Sequence, residues 1–474
     1  MAEARGVTEP RRVTEPRGVN EARRARPFYT PRPMSRRRVV ITGLGPVSAH
    51  GLGIDPLWQA LCEGRSALAP IRAFDARGFA SASGGELPES YDVKDLVPKS
   101  YRKATKVMAR DIEIAVGGAL TAVRDAGLST RGTDPDHAPT IAPDRVGCHI
   151  GAGLIAADLD ELTAALATSK DGAGKFDPGH WGQQGMQELT PLWLLKYLPN
   201  MLACHVTIIH DCQGPSNTIT CNEASSGLSL AESQRVIERG AADACLSGGA
   251  DSKLNPMAYL RQELAGRLAR CTVDEDATRK VKPFDPASPG ALVGEGGGIL
   301  VLEAEDTATA RGARIHAVLS GTGASQSWCD DTVGLVPDAS GESLADAIEA
   351  ALRDARVAAS EIDAIIPYGC GVPAIDGLEA KALERIFGEA LPSKPVVTLA
   401  PSIGATVAGF GTIAVAVAVK CITEQRLPAR LNSAATGRLA AAAAPSEPRA
   451  LRHILVCTPS LGGQNSAAII SRHA

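Results

Sequence analysis

Aromatic residues are scarce in this chain: seven Phe, six Tyr and four Trp make up 4% of 474 residues. A core built on bulky rings is excluded, and 48 glycines point to close backbone approach instead. There is no excess of positive charge. The formal net charge is −4, so the basic footprint of a nucleic-acid binder is missing. No uninterrupted apolar run reaches the roughly 18–20 residues of a membrane-spanning helix. The longest, Gly411 to Val419, predicts a buried helix. Eleven cysteines contain no CxxC pair, which excludes a zinc ribbon or a thioredoxin-type motif. With no segment resembling a signal peptide, reduced thiols and a cytoplasmic setting are expected.

Residues 1–33 differ from the rest. The hexad Arg5 to Pro10 nearly recurs at Arg12 to Pro16 and, degenerate, at Arg17 to Ala22. This Arg/Glu/Pro-rich stretch is expected to be disordered, or to precede a true start at Met34. From Arg38 onward apolar strand patterns alternate with helical ones, which predicts a layered α/β fold. Arg38 to Thr42 reads as a strand leaving through a Gly43-Leu-Gly45 turn. Ser48 stands where a GxGxxG motif needs its third glycine, so no nicotinamide site is indicated. Lys103 to Ala126 reads as one long helix. Ile315 to Gly323 echoes the first strand, again ending in glycine-x-glycine, which suggests two duplicated halves, 34–310 and 311–474.

The densest information lies in residues 214–251, GPSNTITCNEASSGLSLAESQRVIERGAADACLSGGAD. With Val39–Val47, Leu198–His205, Lys282–Glu303, Tyr368–Asp376 and Ser460–Asn465, in that order, it resembles the β-ketoacyl synthases. The resemblance runs from Met34 to the C-terminus. It implies a thiolase-like fold, an α-β-α-β-α sandwich of duplicated βαβ-rich halves. It also implies a nucleophilic cysteine at a helix N-terminus, where the dipole favours thiolate. Two histidines would stabilise an enolate, and a lysine would organise the site. Counting in from either end of the 214–251 frame, the cysteine position is Glu223. The first histidine position is Tyr368, and the lysine and second histidine positions are Ala400 and Ala405. Residues matching the family's structural positions are retained: Gly290, Glu295, Pro373, Asp376, Gly404, Gly462, Gly463 and Asn465.

A carboxylate at position 223 cannot form a thioester, although the N–H groups of a helix N-terminus would tolerate an anion there. Cys221, two residues earlier, reads as a buried structural cysteine rather than a displaced nucleophile. Cys204-His205 with His210-Asp211-Cys212 offers ligand-type side chains at a spacing that fits no common zinc pattern. No metal and no cofactor are expected.

Disarmed in this way, the chain is similar to the chain-length factor, the β subunit of heterodimeric ketosynthases in type II polyketide and polyene pathways. The resemblance implies a catalytic ketosynthase α subunit, an acyl carrier protein and an acyl or polyketide chain as partners. Asn217, Thr218, Ile219 and Thr220 would be the strand that pairs across the dimer axis. Leu154, Ile155, Ala156 and Ala157 would lie along the tunnel, and Leu461 at the gate. Two alternatives remain: a homodimeric acyl-binding pseudoenzyme, and a repurposed decarboxylase or hydrolase using Glu223.

Overall fold

The computed structural model describes residues 36–328, 338–434 and 437–473. The Arg/Glu/Pro-rich segment 1–33 lies outside them. Nine strands carry the fold: β1 Val39–Ser48, β2 Val146–Ala152, β3 Ser216–Ile219, β4 Ala244–Asp251, β5 Gly296–Ala304, β6 Ala317–Gln326, β7 Ala364–Ile366, β8 His453–Pro459 and β9 Gln464–Ser471. With the short strand Gly51–Leu52, which pairs with β1, they form a ten-stranded mixed sheet in the order β7-β8-β9-β6-β1-β5-β4-β2-β3.

The order repeats a motif. β1 pairs antiparallel with β5, β5 antiparallel with β4, and β4 parallel with β2. In the second half β6 pairs antiparallel with β9, β9 antiparallel with β8, and β8 parallel with β7. The halves meet where Val40 and Ile41 of β1 pair with Val318 and Ala317 of β6.

Six of the helices among the described residues form the layers: α1 Arg110–Asp125, α2 Met201–His210, α3 Ser225–Glu238, α4 Glu342–Ala355, α5 Pro373–Phe387 and α6 Phe410–Glu424. α1 covers β1, β4 and β5, with α2 beside it, while α4 covers β6 and β9, with α5 beside it. α3 and α6 pack against strands of both halves and against each other. This is the layered thiolase-like arrangement.

The two glycine-x-glycine motifs explain how the layers fit. Gly43-Leu-Gly45 is not an exit turn, because β1 runs through it to Ser48 after a bulge between Ile41 and Gly43. The glycines are there because α1 lies directly on the strand. A Cβ on Gly43 would sit 2.2 Å from the carbonyl oxygen of Ala122, and one on Gly45 2.0 Å from that of Gly118. The second half repeats the device: a Cβ on Gly323 would meet the carbonyl oxygen of Ala347 at 2.0 Å. Both strands trade side chains for helix contact, consistent with a chain poor in aromatics.

Two helix readings change. The expected helix 103–126 is divided: Lys99–Val107 is 3-10, and α1 begins only at Arg110 after an extended Met108-Ala109. Arg110 is drawn to the buried carboxylate of Glu295, which fixes the new start. The apolar run 411–419 belongs to a longer helical stretch, Val407–Glu424, apolar and long enough to cross a membrane by composition alone. It is 83% buried inside the protein, between the two halves, so its apolar surface is already used.

The packing predicts that Gly45→Ala destabilises the protein by about 1–3 kcal/mol or more, because backbone must move to admit the methyl. The exposed Gly78, whose added Cβ would meet nothing within 4 Å, should tolerate the same change with near-neutral effect. Urea unfolding of the two variants separates the cases.

Candidate functional site

β3 delivers the chain to a tight elbow. Asn222 takes φ +45°, a conformation Asn accepts more readily than most residues, and Asn222–Ala224 form a 3-10 turn before α3. Ser225 knits the elbow: its Oγ accepts from the Cys221 N–H at 2.8 Å and donates to the Asn222 carbonyl at 2.7 Å. The turn drives Glu223 inward, where it is 1% exposed.

The carboxylate meets a cation that sequence reasoning missed. Arg267, 5% exposed, places Nη1 2.6 Å from Glu223 Oε1. This is a charge-to-charge contact, with no well-aimed N–H on Oε1 among the described residues. The other oxygen, Oε2, accepts from the backbone N–H of Leu461 at 3.0 Å. Burial acts to raise the Glu223 pKa, but Arg267, the Leu461 N–H and the residue's own N–H outweigh it, leaving the carboxyl below the ordinary Glu value. Burial likewise opposes the charge on Arg267, and Glu223 reverses the effect, so the guanidinium is held more firmly charged. The anticipated helix-terminus stabilisation is thus the smaller part of the answer.

Arg267 lies on a strap following the helix Pro256–Leu264. The strap is held by hydrogen bonds from Arg267 N–H to the Gln262 carbonyl and from Ala291 N–H to the Arg267 carbonyl. Gly290, at φ +129°, lets the strap lie close: a Cβ there would meet the Arg267 carbonyl oxygen at 2.7 Å. The one signal in the sequence was an arginine between small and apolar residues, Leu264-Ala-Gly-Arg-Leu-Ala.

Tyr368 joins the same centre. Its ring stands edge-on to Phe410 at 4.9 Å, and its hydroxyl is buried without a hydrogen-bond partner among the described residues. Burial lifts the phenol well above its ordinary range; the Glu223 charge adds to the rise and Arg267 opposes it. Glu379 of α5, also unforeseen, clamps the backbone here, accepting from the Tyr368 and Gly369 N–H groups at 2.8 Å each. Asp376 accepts from Phe284 and Gly371, and burial pushes it up to about 7. Ala405 packs in the same apolar cluster as Tyr368 and Phe410. Ala400 packs elsewhere, with Leu68, Ala269, Cys271, Ala277, Val281 and Leu292.

The remaining candidates spread around this centre. Cys221 is half-exposed rather than buried. It lines an open cleft with Leu154, Thr220, Asn222, Gly462 and Gln464, and partial burial raises its thiol pKa. Ile155 and Ala156 line a different cavity, of about 290 Å³, whose wall carries Arg110, Asp158, Lys196 and Tyr197. Ala157 is half-buried against the apolar cluster that contains Ile155 and Tyr197. Asn217, Thr218 and Ile219 lie on β3, the last strand of the sheet, paired only with β2 among the described residues; Thr220 follows it, exposed. His205 and His210 are committed to Tyr101 and Thr130 through their Nδ1 atoms. Among the described residues no group of three His, Cys, Asp or Glu is placed to hold a metal.

Profiles of the β-ketoacyl synthase N-terminal and C-terminal domains match residues 36–308 and 316–434 in succession. The chain belongs to the β-ketoacyl synthase family. These are condensing enzymes, transferases of fatty-acid and polyketide biosynthesis. The chain is 29% identical to 3-oxoacyl-(acyl-carrier-protein) synthase 2 of Vibrio harveyi, over 84% of this chain and 89% of the relative. It is 30% identical to the first actinorhodin polyketide β-ketoacyl synthase of Streptomyces coelicolor, over 92% and 88%. Among solved structures it is similar to the ishigamide ketosynthase/chain length factor: TM-score 0.77, 27% identity, 93% of this chain and 100% of the other.

Within this β-ketoacyl synthase fold, the buried ion pair should dominate local stability. Glu223→Gln strands the Arg267 charge and should cost about 3–5 kcal/mol. The double variant Glu223→Gln with Arg267→Met should recover most of that loss, as chemical denaturation of the four-member cycle would show. Because the folded pKa of Glu223 lies below its unfolded value, the pair's stabilisation is complete above the ordinary Glu range. It is lost as pH falls through the depressed value. The gap between wild type and Glu223→Gln should therefore narrow in acid.

Proposed function

We propose that this protein is a non-catalytic, chain-length-factor-like ketosynthase subunit. It pairs with an active ketosynthase and contributes part of the wall along which an acyl or polyketide chain is accommodated. One observation carries the reading: the position that would hold the acylated thiol holds Glu223, buried and neutralised by Arg267. An ionised carboxylate tied to a guanidinium has no thioester chemistry, and its depressed pKa makes it a weak general base. The half-exposed Cys221 does not replace it, because its raised pKa keeps it a thiol at neutral pH. The hydrolase or decarboxylase alternative fits this centre poorly, since both histidine positions are Tyr368 and Ala405 and no imidazole stands ready to stabilise an enolate.

The surface supports a partnered state. Of the twelve large apolar side chains exposed among the described residues, eight fall between Leu154 and Ile208: Leu154, Leu159, Leu166, Phe176, Met186, Leu192, Leu194 and Ile208. They come from the segment before β3, whose outer edge has no pairing strand among the described residues. An unpaired edge strand close in sequence to such apolar residues suits a permanent partner. The ketosynthase/chain length factor similarity favours a heterodimer with an active ketosynthase, served by an acyl carrier protein in the cytoplasm.

Co-expression with the ketosynthase encoded beside this chain, purification through a tag on this chain, and an elongation assay with malonyl-loaded carrier protein test the reading. A 1:1 complex that elongates, while this chain alone does not, is expected. Leu192→Asp with Leu194→Asp should dissociate that complex and leave the isolated chain's thermal midpoint nearly unchanged. Consumption of malonyl groups by this chain alone, abolished in Glu223→Gln, would establish the enzymatic alternative instead.

A further inference from the structure

The donors around Glu223 form a set that recognises carboxylate whoever supplies it. Arg267 brings a guanidinium that is 5% exposed and whose one ion-pair partner among the described residues is Glu223. The Leu461 N–H points at Oε2 from the opposite chain segment at 3.0 Å. The N–H of residue 223 itself contributes. Among the described residues the Tyr368 hydroxyl, buried in the same centre, has no hydrogen-bond partner, and neither has Glu223 Oε1 beyond the charge contact. A guanidinium, backbone N–H groups and a spare hydroxyl are what a small carboxylate needs when it leaves water.

We propose that Arg267, the Leu461 N–H and the Tyr368 hydroxyl form a carboxylate-binding site whose resident ligand is the Glu223 side chain. Its occupancy keeps external carboxylates, such as that of a malonyl extender, out of this subunit. The exclusion rests on the proposed function above; the carboxylate site itself does not. The side chain is tethered, so its effective concentration at the site exceeds what free metabolites reach. A neutral acyl chain has no use for the site. In a complex with a working ketosynthase, this arrangement would leave the anionic extender to the partner's centre.

Shortening the resident ligand should open the site to others. The full-length chain, with its partner where the two co-purify, is compared as wild type, Glu223→Ala and the double variant Glu223→Ala with Arg267→Leu. Thermal midpoints are followed against sodium formate, acetate and malonate, with sodium chloride at matched ionic strength as reference. The expected result is a saturable, carboxylate-specific rise in Glu223→Ala, none in wild type, and at least a tenfold weaker response once Arg267 is gone. Should Glu223→Ala not fold alone, the yield of soluble protein refolded in acetate against chloride becomes the measurement; a gain confined to acetate supports the site, and equal yields overturn it. Equal responses to chloride and acetate, or a response that survives loss of Arg267, also overturn it. Wild-type stabilisation by malonate matching that of Glu223→Ala overturns the exclusion. These readings need no turnover, so they stand or fall separately from the elongation assay.

Discussion

A carboxylate and a guanidinium 2.6 Å apart, both almost shut off from water, sit at the elbow between β3 and α3. Desolvating two charges costs several kcal/mol each, and only close mutual attraction with added hydrogen bonds offsets it. Each half of the pair is therefore a liability without the other. The rest of the site follows from keeping them together: the elbow turns Glu223 inward, the Gly290 contact seats the Arg267 strap, and the segment around Leu461 closes over the second carboxylate oxygen. Ser460 adds a hydrogen bond from its Oγ to the Cys221 carbonyl, so the C-terminal segment is tied to the elbow twice.

The surrounding scaffold achieves its density with small residues. Glycines let α1 and α4 lie on their strands at backbone distance. The inner helices cross in the same manner: a Cβ on Gly411 of α6 would stand 2.8 Å from Ser226 Oγ and 3.0 Å from the Gly227 nitrogen of α3. That crossing lies at the start of the elbow helix, so close packing and site geometry share the same residues. A scaffold of this kind holds a buried charge pair in register because so little can shift.

Much of this was legible in the sequence. The alternation of apolar strands and helices gave the layered fold; of the positions the resemblance singled out, Tyr368 and Ala405 share one apolar cluster and Tyr368 feels the Glu223 charge, while Ala400 packs elsewhere. The echo between Val39–Gly45 and Ile315–Gly323 marked the duplication, although its glycines serve helix contact and not turns. Arg267 was hardly legible, because a lone arginine among small and apolar residues gives no periodic sign of being buried; the strap's path beside Ala291 brings it inward. Glu379 was hidden for a similar reason, since the middle of an amphipathic helix does not announce that a carboxylate faces a loop. Cys221 was misplaced because elbow geometry, set by the positive φ of Asn222, turns neighbouring side chains to opposite sides of the turn.

Intact-mass analysis of both subunits, after the complex is incubated with acyl-loaded carrier protein and quenched in acid, tests the account most directly. The acyl mass should appear on the partner ketosynthase and never on this chain. An acyl adduct on this chain, whether at Cys221 or elsewhere, would contradict the claim that the ion pair has replaced its chemistry.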